Sequence, residues 1–214
     1  MPNSPQSRRA QEKQARYDAI LDAAETVFAS QGYERTAMED IARLAQLSRG
    51  LLYVYFRDKA AIQRGIMFRA GESMRQRFTQ ACREEDSGLQ QIAAIGRAYY
   101  QFYREQPSYF DALTQAATAR MEAGPEEAQQ MMCNEEATMA LMVAAIERGL
   151  VDGSICQERV HHSLQTALYL RGALHGVIML CQQKAQEPPA LSEALNDDLV
   201  EHTVLLLTSS IGSS

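Results

Sequence analysis

One short segment near the N-terminus concentrates side chains that can contact nucleic acid. Ser48, Arg49, Tyr53 and Tyr55 lie close together, and Gly50 between them would let a backbone approach closely. Hydroxyl groups can donate to phosphate oxygens, and an arginine can pair bidentately with guanine. The residue types therefore favour a surface that meets phosphates and base edges, although tyrosines also occur as plain core.

The elements that would position these side chains are two short helices joined by a tight turn. Residues 36–39, T-A-M-E, are typical of a capping box with Thr36 as the N-cap. Ser48 is the N-cap candidate of the second helix. The residues expected to face inward are apolar or small: Ile41, Ala42, Ala45, Leu47 and Leu52. This pattern predicts a helix-turn-helix whose second helix enters the major groove, although the same unit also occurs as a packing motif.

Charge is distributed unevenly along the 214 residues. The formal net charge is −6, which taken alone argues against nucleic acid. Residues 1–80 nevertheless carry a net charge of +4, and residues 81–214 carry −10. Such asymmetry is a hint of a nucleic-acid-binding end, while the acidic part is also explained as solvated helix surface.

The rest of the chain predicts an all-α fold of about nine helices, without alternating β patterns. Helices are expected from Arg8 or Gln11 to Gly32, from Asp58 to about Glu85, and over residues 89–106, 108–123, 125–148, 156–186 and 191–211. Gly149 to Gly153 is expected to be a turn. The apolar run from Ala167 to Cys181 is interrupted by charge and is expected to be too short and too polar to span a bilayer.

Residues 20–62, ILDAAETVFASQGYERTAMEDIARLAQLSRGLLYVYFRDKAAI, resemble the DNA-binding domain of TetR/AcrR-type transcriptional regulators. The resemblance lies in Gly32-Tyr33, Thr36, the segments DIA, SRG and LYVYF, and the closing Lys59. It implies phosphate or groove contacts by Thr36, Ser48, Tyr53, Tyr55 and Lys59, with Arg49, Gly50 and Leu51 nearest the bases. Gln46 departs from the family's usual turn glycine, so a slightly strained turn is expected. The Gln46 side chain could then extend toward DNA.

The resemblance also implies four segments. These are a flexible tail (1–10), a helix-turn-helix domain (11–57), a connecting helix (58–85) and a ligand-binding and dimerisation domain (86–214). The helix over 156–186 is apolar around most of its circumference, and Gly172 and Gly176 would allow another helix to approach closely. With the last helix it could form a two-fold homodimer interface suited to a palindromic operator. The residues expected on that helix are Leu199, Val204, Leu206, Leu207 and Ile211. A monomeric helical core is the alternative.

A ligand pocket is indicated more weakly, by methionines and aromatic residues in the second domain. The candidates are Tyr99, Phe102, Tyr103, Phe110, Met139, Met142, Tyr169 and His175. Residues of these types at helical spacing also occur as plain core, and both readings stay open.

The sequence therefore favours a cytoplasmic, ligand-responsive repressor that is released from DNA by a small, largely apolar effector. A regulator that acts as an activator, or one controlled by a protein partner or cysteine redox chemistry, is the alternative. Motifs of catalysis are absent from the sequence, so no enzyme activity is expected. The four cysteines are not paired in CxxC motifs, and we expect neither a metal nor a cofactor.

Overall fold

The computed structural model describes residues 5–84, 87–114, 124–184 and 193–213. The described residues form nine helices and no strand, which confirms the all-α prediction. The helices are α1 (Pro5–Gln31), α2 (Met38–Leu44), α3 (Arg49–Tyr55), α4 (Lys59–Glu84), α5 (Gly88–Glu105), α6 (Pro107–Thr114), α7 (Pro125–Asp152), α8 (Ser163–Lys184) and α9 (Glu193–Ile211).

An N-terminal three-helix unit is formed by α1, α2 and α3 around its own core. Ile20, Ile41 and Leu52, one from each helix, are fully buried there. Phe56 closes the unit after α3 and stacks on Tyr17 of α1 with ring centroids 4.9 Å apart. The inward positions predicted for the helix-turn-helix are confirmed, since Ile41, Ala42 and Leu52 are buried and Ala45 and Leu47 pack against the same cluster.

Helix α4 connects this unit to the second domain. Asp58 accepts a hydrogen bond from the Ala61 N–H at 2.7 Å, which caps the helix where the sequence predicted. At its N-terminal end α4 buries Ile62 and Ile66 in the three-helix core. Its C-terminal half contributes Phe78 to the core of the second domain, so α4 belongs to both.

The second domain packs α5, α7, α8 and α9 around two further clusters. One is centred on Ile95, Ile146 and Ala167, and the other on Phe102, Phe110 and Ile178. Ser87 N-caps α5 and accepts from the Gln90 N–H, because its hydroxyl replaces a missing helical partner.

The start of the first helix differs from the prediction. Helix α1 begins at Pro5 rather than near Arg8 or Gln11, so residues 5–10 of the expected tail are helical. Proline is well tolerated in the first helical turn, where its missing N–H costs nothing. Residues 1–4 lie outside the described residues.

Further differences occur around Gly149 and after it. Helix α7 continues through Gly149 to Asp152, and Gly88, the first residue of α5, approaches the α7 backbone closely at Gly149. A Cβ on Gly88 would lie 2.1 Å from the Gly149 nitrogen. Residues 154–162 precede α8 rather than forming its first turns, since Ile155 is buried and the Cys156 N–H donates to Ile211 O at 2.8 Å.

The apolar character of α8 is stronger than the sequence analysis expected. Residues Ser163–Gln183 are long and apolar enough to cross a membrane, with a mean hydropathy of 1.2 and 28% of the segment buried. By length and composition alone, the whole helix is therefore long and apolar enough, whereas the shorter run from Ala167 to Cys181 was expected to be too short and too polar. Length and composition are weak signs by themselves, because helices packed in soluble cores share both.

Candidate nucleic-acid interface and ligand cavity

The turn between α2 and α3 is built as a Schellman motif. The Leu47 N–H donates to Ala42 O at 2.9 Å, and the Gln46 N–H donates to Arg43 O at 3.2 Å. Gln46 adopts a φ of +57°, the left-handed conformation that glycine adopts most readily. The expected turn is therefore present with a non-glycine residue at its strained position, and the Gln46 side chain is exposed.

Helix α3 presents its first turn to solvent. Ser48 caps it by accepting from the Leu51 N–H at 3.2 Å, and Gly50 has open space where a Cβ would lie. Arg49 is exposed, lies over the Tyr53 ring at 5.6 Å, and pairs with Glu39 of α2 at 2.9 Å. Glu39 was not predicted at this surface, and DNA would have to compete with its carboxylate for Arg49.

The remaining faces of α3 differ in exposure. Tyr53 and Val54 are exposed by 42% and 78%, whereas Tyr55 packs against the three-helix core. Leu51 is half-buried. The sequence analysis did not single out Val54, an exposed apolar residue of α3.

Thr36 and Lys59 stabilise the segment between α1 and α2 instead of facing outward. Thr36 is buried, and its hydroxyl donates to Gly32 O at 2.8 Å. The N-cap of α2 is Ala37, whose N–H donates to Asp40 at 3.1 Å, so the predicted T-A-M-E box is wrong. The Thr36 hydroxyl is enclosed in this structure, and the phosphate contact expected of Thr36 stays a prediction.

The Lys59 ammonium donates to three main-chain carbonyls, those of Tyr33, Glu34 and Thr36. It also lies 4.3 Å from the centre of the Tyr33 ring. An ammonium has three N–H donors, and all three have acceptors here. In this structure Lys59 therefore stabilises the turn after α1, and the phosphate contact expected of Lys59 stays a prediction.

A cavity of about 360 Å³ lies in the second domain between α4, α5, α6, α7 and α8. Its apolar walls are Met67, Phe68, Gly71, Met74, Phe78, Tyr99, Phe110, Leu113, Met131, Met139, Met142 and Gly172. Its polar lining is Thr114, Asn134, Glu135, Thr138, Arg171 and His175. A space of this size, mostly apolar with a few polar groups, is typical of small-molecule sites.

Two polar pairs line this cavity. The Tyr99 hydroxyl and His175 Nδ1 are 2.8 Å apart. Burial raises the pKa of Tyr99 to about 12. Burial, and then the nearby Arg171, lower the pKa of His175 below its ordinary 6.5. Both groups are therefore uncharged at neutral pH. Arg171 pairs with Glu135 at 3.3 Å across α7 and α8.

Comparison with known proteins identifies both parts of the chain. Residues 20–64 match the model of bacterial regulatory proteins of the tetR family. Residues 92–206, more than half of the chain, match the tetracyclin repressor-like C-terminal domain. The chain belongs to the TetR family. It is a DNA-binding transcriptional regulator with an N-terminal helix-turn-helix domain.

Characterised TetR-family relatives show partial similarity. The A-factor receptor protein of Streptomyces griseus is 37% identical over 91 residues, which are 41% of this chain and 31% of that protein. The HTH-type regulator TtgR of Pseudomonas putida is 27% identical over 162 residues, which are 70% of this chain and 73% of TtgR.

Solved structures share the fold. FadR from Bacillus subtilis, in complex with stearoyl-CoA, has a TM-score of 0.70 at 18% identity, covering 91% of this chain and 99% of FadR. A Rhodococcus sp. RHA1 protein of unknown function has a TM-score of 0.75 at 19% identity, covering 92% of this chain and 95% of that protein. At such identities the likeness supports the TetR-family fold and nothing finer.

Within this TetR-family chain, five of the eight residues predicted to contact a ligand line the cavity: Tyr99, Phe110, Met139, Met142 and His175. The other three do not. Phe102 is fully buried in the core, Tyr103 packs edge-on against Phe110, and Tyr169 is 59% exposed on the outer side of α8.

The α4 wall of the cavity was missed by the sequence analysis, which treated α4 only as a connector. The signal was present, because Met67, Gly71, Met74 and Phe78 recur at helical spacing along one side. Glu135 and Arg171 were also missed, since a charged pair between two helices leaves no local pattern.

Among the described residues, no three His, Cys, Asp or Glu side chains lie close enough to hold a metal ion. His161 and His162 are exposed. The cysteines are free thiols, and burial raises the pKa values of Cys82 and Cys181. A raised pKa leaves less thiolate, the reactive form, at neutral pH.

Proposed function

We propose that this TetR-family regulator is a homodimeric cytoplasmic repressor that binds a palindromic operator and is released by a small, largely apolar ligand. One observation carries the proposal. The same chain holds an exposed helix-turn-helix and a cavity of about 360 Å³, and α4 runs from one to the other. The relatives named above include a receptor protein and a regulator crystallised with an acyl-CoA, which is consistent with a ligand-controlled repressor.

The DNA-reading surface is the outer side of α3 with the turn before it. Arg49, Gly50 and Tyr53 are exposed there, and Ser48 stands at the N-terminus of the helix. Leu51 and Gln46 flank this side, and Tyr55 lies at its inner edge. Because Arg49 is paired with Glu39 in the free protein, DNA binding exchanges that carboxylate for a phosphate or a guanine.

The dimer would form through α8 and α9. Along α8, an exposed ridge recurs every four residues: Leu164, Leu168, Gly172, Gly176 and Leu180. Apart from the adjacent residues and the surrounding backbone of α8 itself, no described atom lies within 4 Å of a Cβ added to Gly172 or Gly176. Ridges of this spacing interdigitate in the commonest class of helix pairs, and glycines allow a short interhelical distance.

Helix α9 exposes Leu195, Leu205 and Leu206, each by at least half. Of the α9 residues expected at the interface, Val204 and Ile211 are instead buried in the protomer's own core. Together with the α8 ridge, the exposed leucines form an apolar face that a second copy would cover, placing two α3 helices about a two-fold axis.

Coupling between the cavity and DNA would pass through α4 and α6, which both line the cavity and both contact the N-terminal unit. The Arg69 guanidinium of α4 pairs with Asp18, Asp22 and Glu25 of α1 at 2.6–3.2 Å. Tyr109 of α6 donates to the same Glu25 at 3.0 Å, next to the cavity residue Phe110. A ligand that shifts α6 therefore changes the contacts that position α1, and this changes the affinity for DNA.

The test is fluorescence anisotropy of the purified protein against labelled DNA from upstream of its own gene, repeated across a salt series. We expect saturation at two subunits per site and a steep loss of affinity with salt. Arg49→Ala and Tyr53→Ala should abolish specific binding. Arg97→Ala is the matched control, because Arg97 is an exposed, ion-paired arginine on α5.

Two results would overturn the proposal. Equal losses in Arg49→Ala and Arg97→Ala would mean that general charge, and not α3, provides the affinity. Failure to enrich any sequence from a random DNA pool would show that this helix-turn-helix has no operator.

A further inference from the structure

The charges in the cavity restrict the ligands that it can hold. Among the described lining residues, Glu135 and Arg171 carry charge, and they neutralise each other at 3.3 Å. A ligand carboxylate attracted to Arg171 would meet the Glu135 carboxylate, and a ligand ammonium attracted to Glu135 would meet the guanidinium. The pair therefore disfavours ligands of either sign.

The Tyr99–His175 pair offers hydrogen bonding without charge. The tyrosine hydroxyl has one donor and two acceptor positions. In the cavity wall it forms a hydrogen bond with His175 Nδ1. A ligand hydroxyl can therefore donate to the Tyr99 oxygen. Since this pair stands among apolar side chains, such a bond is less weakened by water than one at the surface.

The walls favour rings over flexible chains. Thioether sulfurs make favourable contacts with ring edges, and Met67, Met74, Met131 and Met142 line the space. Phe78 and Phe110 both pack on Tyr99, with ring centroids at 6.3 and 5.6 Å. A ligand ring could extend this cluster by stacking or edge-on contact.

We propose that the cavity binds an uncharged ring compound that carries a hydroxyl group hydrogen-bonded to Tyr99. Only the effect of such a ligand on DNA binding rests on the proposed function; the binding itself does not. It names a ligand class by size, charge and hydrogen bonding, and excludes carboxylates and ammonium compounds as preferred occupants.

The test uses three probes of one ring system: 2-naphthol, 2-naphthoate and 2-naphthylmethylammonium. The protein has no tryptophan, so naphthyl fluorescence can be followed without tryptophan emission. At pH 7 we expect 2-naphthol to bind the full-length protein at least about tenfold more tightly than either charged probe. Tyr99→Phe should weaken 2-naphthol binding by about five- to tenfold, because one hydrogen bond is lost.

Charge variants give a sharper readout. Glu135→Gln should raise the affinity for 2-naphthoate by about tenfold, and Arg171→Gln should do the same for the ammonium probe, because each leaves one charge unopposed. Neither should change 2-naphthol affinity by more than about threefold. Arg97→Gln on α5, outside the cavity lining, is the control and should change none of the three.

The inference is overturned if the unmodified protein prefers 2-naphthoate, or decanoate as a flexible anionic probe, over 2-naphthol. It is also overturned if a protein that still binds its operator binds none of the probes. Conversely, 2-naphthol binding that leaves operator affinity unchanged would support the ligand class and contradict release from DNA by this compound, so the two proposals fail separately.

Discussion

At the scale of single residues, Gln46 has a strained backbone and lies beside the surface proposed to read DNA. Its φ of +57° follows from the turn, which requires the left-handed conformation at this position. We expect Gln46→Gly to raise the free energy of unfolding by about 0.5–1 kcal/mol, the relief of strain less the greater entropy of glycine in the unfolded chain. Urea denaturation followed by circular dichroism measures this.

Gln46→Ala is the matched control, because it keeps the strained backbone and removes the amide. If the amide contacts DNA, both variants lose operator affinity while only the glycine variant gains stability. An alanine variant as stable as Gln46→Gly would show that the backbone strain has no energetic weight.

Lys59 provides the second residue-scale prediction. Because its ammonium satisfies three carbonyls, Lys59→Met should lower the free energy of unfolding by about 1–3 kcal/mol. The salt dependence of DNA binding distinguishes this role from a phosphate contact. A structural lysine leaves the slope of log K against log salt unchanged, whereas loss of a phosphate contact lowers it by about one.

Arg57→Met is the comparison variant, since Arg57 lies two positions away with an exposed side chain. A stable Lys59→Met protein with a reduced salt slope would support the phosphate contact that the resemblance implied. Sequence comparison alone could not separate these roles, because it identifies the residue type and not the direction in which the side chain points.

At the scale of elements, the contact between α6 and α1 links the two domains in addition to the connecting helix α4. The Tyr109 hydroxyl donates a hydrogen bond to Glu25, which also forms an ion pair with Arg69. A double-mutant cycle of Tyr109→Phe and Glu25→Ala should give a coupling energy of about 0.5–1.5 kcal/mol in unfolding experiments. Additive effects within about 0.3 kcal/mol would mean that the hydrogen bond does not join the domains.

Sequence reasoning predicted correctly those features of the helices that depend on residues close together in the chain. Asp58 and Ser48 were predicted as caps because capping depends on a few neighbouring residues, and the structure has both. Gly149 was taken as a helix end, but it lies inside α7 where α5 crosses. A close approach between helices distant in sequence leaves no local pattern, and the Glu135–Arg171 pair was missed for the same reason.

At the scale of the whole molecule, the all-α fold and the helix-turn-helix followed from hydrophobic periodicity and a specific motif. The cavity followed only in part, since Phe102 and Tyr169 have the right residue types but lie in the core and on the surface. Residue type and spacing define which side of a helix is apolar. They do not define whether that side meets a neighbour, a ligand or a second protomer.

The last prediction concerns the apolar face of α8 and α9. Leu205 is 61% exposed on this face, and a charged group buried there in a dimer would be left without a partner. Leu205→Glu should therefore shift the protein from dimer to monomer in sedimentation velocity and weaken operator binding. Val151→Glu is the control, because Val151 is 89% exposed at the end of α7. If both variants stay dimeric, the dimer interface lies elsewhere. If both dissociate, the added negative charge alone separates the protomers, and the position of Leu205 on the apolar face is not the cause.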